Sequence, residues 1–222
     1  MKLWFRLVGF GFRLLYYEFA WTYDVVSWMV SLGDWRRWQL AALPFVSGRD
    51  VLEIGHGPGH MLLALQNARF DVVGLDLSPY MGRQALKRTQ RTVPLLRGDV
   101  QNLPFETAVF DTVLSTFPTD YIVAPETLAE VARVLRQNGR FVIVPEGHLT
   151  NGGVVNRFIE WLFTITGQRL PIDKGQPVPL FEMVWQPYLQ RFEEAGFTLR
   201  FEQIQLERSA LTVMIAEKIP SP

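Results

Sequence analysis

Asp50-Val51-Leu52-Glu53-Ile54-Gly55-His56-Gly57-Pro58-Gly59-His60-Met61-Leu62-Leu63-Ala64-Leu65 decides the fold. An apolar run of strand length ends in glycines at alternate positions, and an apolar segment with helical character follows. Glycine in such a turn lets the backbone bend sharply and lets a ligand approach the peptide groups. The stretch predicts strand, glycine turn and helix.

The same rhythm repeats downstream. Phe70 to Asp76 is rich in strand formers, and Ser78-Pro79 offers a capping hydroxyl with proline at the first helical position of a helix running to about Arg91. Val93–Arg97 and Phe110–Leu114 read as a third and a fourth strand. Leu128, Val131, Ala132 and Leu135 recur at helical spacing, with Asn138-Gly139 as the stop, and Phe141–Val144 makes a fifth strand. A helix over Pro187–Ala195 and two strands, Phe197–Leu206 and Ala210–Ala216, close the chain. Strands alternating with helices imply an α/β fold with a doubly wound, mostly parallel sheet of seven strands, whose ligand sits beyond the strand C-termini.

Two segments stand outside the rhythm. Residues 1–49 form an aromatic-rich helical arm, with five of the seven tryptophans in the first 38 residues. Residues 50–222 form the main domain, with a cap inserted after the fifth strand over about 145–187. Lys2, Arg6, Arg13, Glu18 and Asp24 interrupt the arm too often for a membrane span, and no apolar run with a cleavage site suggests a signal peptide. Six basic residues against three acidic ones in residues 1–49 suit peripheral contact of residues 1–38 with an anionic membrane. A lid packed over the core is the alternative, and both can hold at once.

Composition narrows the function. The chain has 222 residues, 48% of them hydrophobic, and 22 basic against 22 acidic residues leave no net charge. That balance gives no general pull toward nucleic acid. With no cysteine there is no disulfide framework or thiol nucleophile, and a cytoplasmic setting fits. No His/Asp/Glu cluster has metal-ligand spacing, so no metal is expected.

A dinucleotide-binding turn reads G-x-G-x-x-G, and His60 stands where its third glycine belongs, which disfavours an NAD-dependent oxidoreductase. Glu53 followed by Gly55, Gly57 and Gly59 resembles instead the first motif of class I S-adenosylmethionine-dependent methyltransferases. Leu75-Asp76-Leu77-Ser78, Gly98-Asp99-Val100 with Leu103-Pro104-Phe105, Phe110–Val113 and Leu135–Gly139 resemble the later motifs in order. Tyr23-Asp24-Val25-Val26 and the segment from Ser31 to Trp38 resemble the approach segment of the ubiquinone/menaquinone biosynthesis C-methyltransferases.

The resemblance implies a Rossmann-like fold and S-adenosylmethionine as cofactor. It implies cofactor contacts from Tyr23, Glu53, Gly55, His56, Gly57, Gly59, Asp76, Leu77, Asp99, Val100 and Thr116. Asp76 would accept the ribose hydroxyls, and Gly98-Asp99-Val100 would meet the adenine. His60 reads as structural. Because a sulfonium brings its own electrophile, few side chains are obligatory for chemistry. His148, just after the fifth strand, is the candidate base, with Glu146, Asp120 and Tyr121 in comparable loops. The apolar cap and arm suggest a hydrophobic small-molecule acceptor, a quinone precursor or a lipid. A soluble enzyme for a polar metabolite and a non-catalytic module with the same fold are the alternatives.

Overall fold

The computed structural model describes residues 23–150 and 180–219. Residues 1–22 of the arm and 151–179 of the expected cap lie outside them. Two short helices, α1 (Tyr23–Ser31) and α2 (Trp35–Leu40), precede the alternating units. These are β1 (Asp50–Ile54), α3 (His60–Asn67), β2 (Asp71–Asp76), α4 (Pro79–Arg88), β3 (Leu95–Arg97), β4 (Phe110–Thr116), α5 (Pro125–Val134) and β5 (Leu135–Val144). A short strand β6 (Gly147–Leu149), helix α6 (Leu180–Glu194) and strands β7 (Phe197–Gln205) and β8 (Ser209–Lys218) complete the described chain.

The sheet runs β3-β2-β1-β4-β5-β8, with β7 on the other edge of β8. The pairs among β1 to β5 are parallel, and β8 is antiparallel to β5, β6 and β7. The seven expected strands are present, and β6 adds a three-residue eighth. Strand order reverses between β1 and β4, the switch point where ligands of such sheets bind.

Alternation along the strands assigns the two faces. Leu52, Ile54, Val113, Phe141 and Ile143 pack against Leu128, Val131 and Val134 of α5 and Phe192 of α6. Val51, Leu114, Val142 and Val144 pack against Trp38 of α2 and Met61, Leu62 and Leu65 of α3. Helix α2 is therefore part of the core. Trp38 donates from Nε1 to Ser209 Oγ at 2.9 Å, and a Cβ on Gly147 would collide with its indole.

Several boundaries differ from the sequence reading, three of them instructively. Helix α5 stops at Val134, and Leu135 onward is already strand. The reason is tertiary: Ala108 and Val109 donate their N–H groups to the carbonyls of Arg133 and Val134. Asn138, at φ +61°, serves a register shift inside β5 and does not cap a helix. Strand β3 begins at Leu95, two residues late, and α6 begins at Leu180 and runs through Pro187. Proline lacks an N–H, which costs a helix one internal bond but need not start it. By contrast Ser78 caps α4 as expected, its hydroxyl accepting from Met81 N–H at 3.3 Å with Pro79 at the first position.

Candidate active site

Gly55, Gly57 and Gly59 all have positive φ, at 66°, 51° and 83°. A Cβ on Gly55 would collide with Tyr121 Oη, and one on Gly59 would lie 2.8 Å from Ala85 Cβ of α4. The outer glycines therefore admit neighbours of the fold itself. Around Gly57 no atom of the described residues lies within 4 Å of an added Cβ, so among them its backbone faces open space at the switch point.

Beneath the turn lies Glu53, completely buried, with neither carboxylate oxygen hydrogen-bonded. Burial, with the charge of Asp76 adding to it, pushes its carboxyl well above the ordinary range. Orphaned buried carboxylates are rare because the missing bonds are costly, so an unsatisfied one at a switch point marks a place for a donor. Glu53 registers with Gly74 of β2 and Leu114 of β4.

Asp76 ends β2. Its Oδ2 accepts from Gly57 N–H at 2.8 Å, its Oδ1 from Ser78 N–H at 2.7 Å. The carboxylate thus ties the glycine turn to the start of α4 and keeps lone pairs on both oxygens for a further donor. Leu77 beside it is exposed, Val100 is buried, and Asp99 receives the N–H of Gln101 at 3.0 Å.

His56 is buried. Its ring packs against Gly74, and Nδ1–H donates to Gly57 O at 2.7 Å. Burial pulls its pKa down, against the opposing charge of Asp76, so the imidazole supports the turn from below in its neutral form. His60 begins α3 and lies 2.8 Å from Asp24 Oδ1, while Asp24 Oδ2 pairs with Arg88 at 2.6 Å. Arg88 also donates to Pro58 O inside the turn. Burial lowers the His60 pKa, so neutral His60 donates Nε2–H and Arg88 carries the opposing charge. Burial alone would raise Asp24, but its bonds to His60 and Arg88 win and lower it. This latch joins the Tyr23-Asp24 segment to the glycine turn.

Asp24→Asn is expected to lower stability by about 0.5–1 kcal/mol, a modest figure because the carboxylate is part-exposed. The loss shows in a urea titration at pH 7. A lowered pKa means this contribution is present above the unfolded value and fades as pH falls through the folded one, so wild type and variant converge in acid.

Thr116, ending β4, accepts from Gln39 Nε2 at 3.3 Å, and Gln39 Oε1 is buried without a partner. Sequence reasoning missed Gln39. Its only signal was its place four residues after Trp35 on α2, the helix that carries Trp38 into the core. Thr116 shares its sheet face with Leu114 and Glu53, so unsatisfied acceptors collect at this end of the sheet. Trp35 stacks on Phe117 at 4.1 Å just above. Tyr23 opens α1 beside Asp24. His148 is exposed on β6, opposite Ala210 of β8, beyond the C-terminal end of β5.

Among the described residues no group of three or more His, Cys, Asp or Glu is placed to hold a metal. A groove between Arg49, Gln66, Arg69, Thr92 and Val109 opens at the opposite, N-terminal edge of the strands.

Residues 52–143, from β1 to β5, match the family model described as a methyltransferase domain. Over these residues the chain is similar to methyltransferases that use S-adenosylmethionine. It is 33% identical to a demethylmenaquinone methyltransferase from Renibacterium salmoninarum over 144 residues, 63% of this chain and 60% of that protein. It is 36% identical to a phthiotriol/phenolphthiotriol dimycocerosates methyltransferase from Mycobacterium leprae over 133 residues, 56% of this chain and 46% of that protein. The chain spans between about a half and three fifths of the length of the first curated relatives it matches. A phosphoethanolamine N-methyltransferase from Haemonchus contortus, solved with S-adenosylhomocysteine, shares the fold at a TM-score of 0.58 and 18% identity, over 85% of this chain and 53% of that one.

The residues of this domain fit the cofactor. An orphaned acceptor lies under an open glycine, and a carboxylate with spare lone pairs ends the next strand.

Proposed function

We propose that the protein transfers the methyl group of S-adenosylmethionine to a hydrophobic small molecule, a quinone precursor or a lipid-like acceptor met at a membrane surface. The observation that carries the cofactor part is the buried Glu53 carboxylate without a hydrogen bond, under the one glycine of the turn that faces open space. The names of the quinone and phthiotriol relatives support the acceptor class.

S-adenosylmethionine supplies a methyl group on a sulfonium, so the protein's work is to hold the acceptor in line and keep water out. In this reading Asp76 accepts the two ribose hydroxyls, Leu77 and Val100 flank the adenine with Asp99 at its edge, and the backbone of Gly55 to Gly59 and His56 supports the amino-acid end. Glu53, with Thr116 and its partner Gln39, offers acceptors to the ammonium. Tyr23 and the helices after it close the site from above.

The test is incubation with methyl-labelled cofactor and demethylmenaquinone, followed by organic extraction. Label in the lipid product supports the reading, and label confined to a polar product from an extract replaces the acceptor class.

A carbon acceptor has to lose a proton, and His148 is the residue we assign to take it. Its loop leaves β5 at the site end and is backed by Trp38. His148→Ala is expected to lower kcat by ~10-fold or more with cofactor affinity unchanged. An unchanged kcat removes the assignment.

A further inference from the structure

Helix α1 has its polarity inverted. Ser27, Ser31 and, just beyond the helix, Asp34 are turned inward, at 7%, 0% and 2% exposure. Val25, Trp28, Met29 and Leu32 face outward at 56%, 62%, 52% and 41%. Val25, Trp28 and Met29 follow the i, i+3, i+4 pattern of a single helix face, which ordinarily turns toward a core, and Leu32 lies next to them in the left-handed turn that ends the helix. Hydrogen bonds hold the helix in this orientation. Ser31 Oγ donates to Ser27 O at 2.6 Å and accepts from Trp35 N–H at 2.9 Å, and Asp34 receives Ser209 Oγ–H at 2.8 Å. At its other end Asp24 is latched to His60 and Arg88.

We propose that this face docks the protein on an anionic lipid bilayer, with the stripe entering the headgroup boundary. Charge complementarity selects this occupant: Arg36 and Arg37 are exposed directly after the stripe, and residues 1–49 carry six basic against three acidic residues. Size argues against a second copy of the chain. Four side chains are far short of the roughly 800 Å² per partner that a stable dimer buries, but suffice for shallow insertion of an amphipathic helix beside a basic cluster. The latch then sets the glycine turn just behind the docked helix, so an acceptor leaving the bilayer enters beside the cofactor. The inference deepens the proposed function by naming the surface that meets the membrane, and rests on that reading only for the identity of the acceptor.

The test is flotation of the full chain with vesicles of phosphatidylcholine alone and with 30% phosphatidylglycerol, alongside calorimetric binding of S-adenosylhomocysteine. The expected result is retention on the anionic vesicles that falls about tenfold or more in Trp28→Ser/Met29→Ser, and also in Arg36→Glu, which leaves the stripe intact. Affinity for S-adenosylhomocysteine stays unchanged in both variants. Wild type that does not float with anionic vesicles overturns the proposal, as does a dimer in sedimentation without lipid that the stripe variant dissociates. Loss of S-adenosylhomocysteine binding in wild type with flotation intact overturns the cofactor reading instead.

Discussion

Asp76→Ala is expected to weaken S-adenosylhomocysteine by about 1.5–3 kcal/mol, roughly ten- to 150-fold, with the fold retained. Hydrogen bonds to a charged acceptor are the strong class, and the proposed ribose contacts are two of them. The alanine also releases the N–H groups of Gly57 and Ser78, which the carboxylate holds at 2.8 and 2.7 Å. Part of the loss is therefore a looser turn. Asp76→Asn separates the two contributions, because the amide keeps the volume and one acceptor oxygen. Asn is expected to recover part of the thermal stability, because its one oxygen satisfies only one of the two N–H groups, and less of the affinity. Unchanged affinity in both variants would remove Asp76 from the site.

The second large effect concerns protons. Glu53 is held well above its ordinary pKa by burial first and by Asp76 second, and no hydrogen bond offsets this. In the free protein a raised value means that stability is fully present below the unfolded pKa and is lost as pH rises through the folded one. A ligand that brings an ammonium to the carboxylate reverses the balance, because an opposite charge favours the ionised form. Binding then expels a proton, and affinity rises with pH between the bound and the free values, about tenfold for each pKa unit by which binding lowers it. Calorimetry of S-adenosylhomocysteine binding in phosphate and in Tris at the same pH reads the proton directly. The expected result is a heat that differs between the buffers in wild type and is equal in Glu53→Gln. Equal heats in wild type would place the ammonium elsewhere.

Much of this architecture is legible locally. The strand-turn-helix from Asp50 to Asn67 announces itself through alternate glycines flanked by apolar runs, and Ser78-Pro79 is a capping signal whose partners lie within four residues. Signals of that kind depend on neighbours in sequence, so a sequence displays them. What failed to show depends on distant partners. The end of α5 is set by Ala108 and Val109, some 25 residues upstream, and β6 exists because β8 offers it an edge.

The site divides in the same way. Glu53, Asp76 and the glycines carry motif spacing. The isolation of the Glu53 carboxylate, the reach of Gln39 to Thr116 and the latch from Asp24 to His60 and Arg88 arise when β1, β2 and β4 come under α2 and α3. His56 packs beneath the turn against Gly74, where the absent Cβ leaves room for a ring, a placement that depends on β2 lying beside β1. The apolar face of α1 was visible only as a crowd of aromatic residues, since its direction is fixed by Ser27, Ser31 and Asp34 turning inward.

The central claim is that the space above Gly57, beside Asp76, holds the methyl donor. Isothermal titration of the purified chain with S-adenosylhomocysteine tests it most directly. The account predicts one-to-one binding with a Kd on the order of micromolar. No heat of binding in a sample whose circular dichroism shows the folded α/β domain, or saturable binding of NADH in its place, would contradict it.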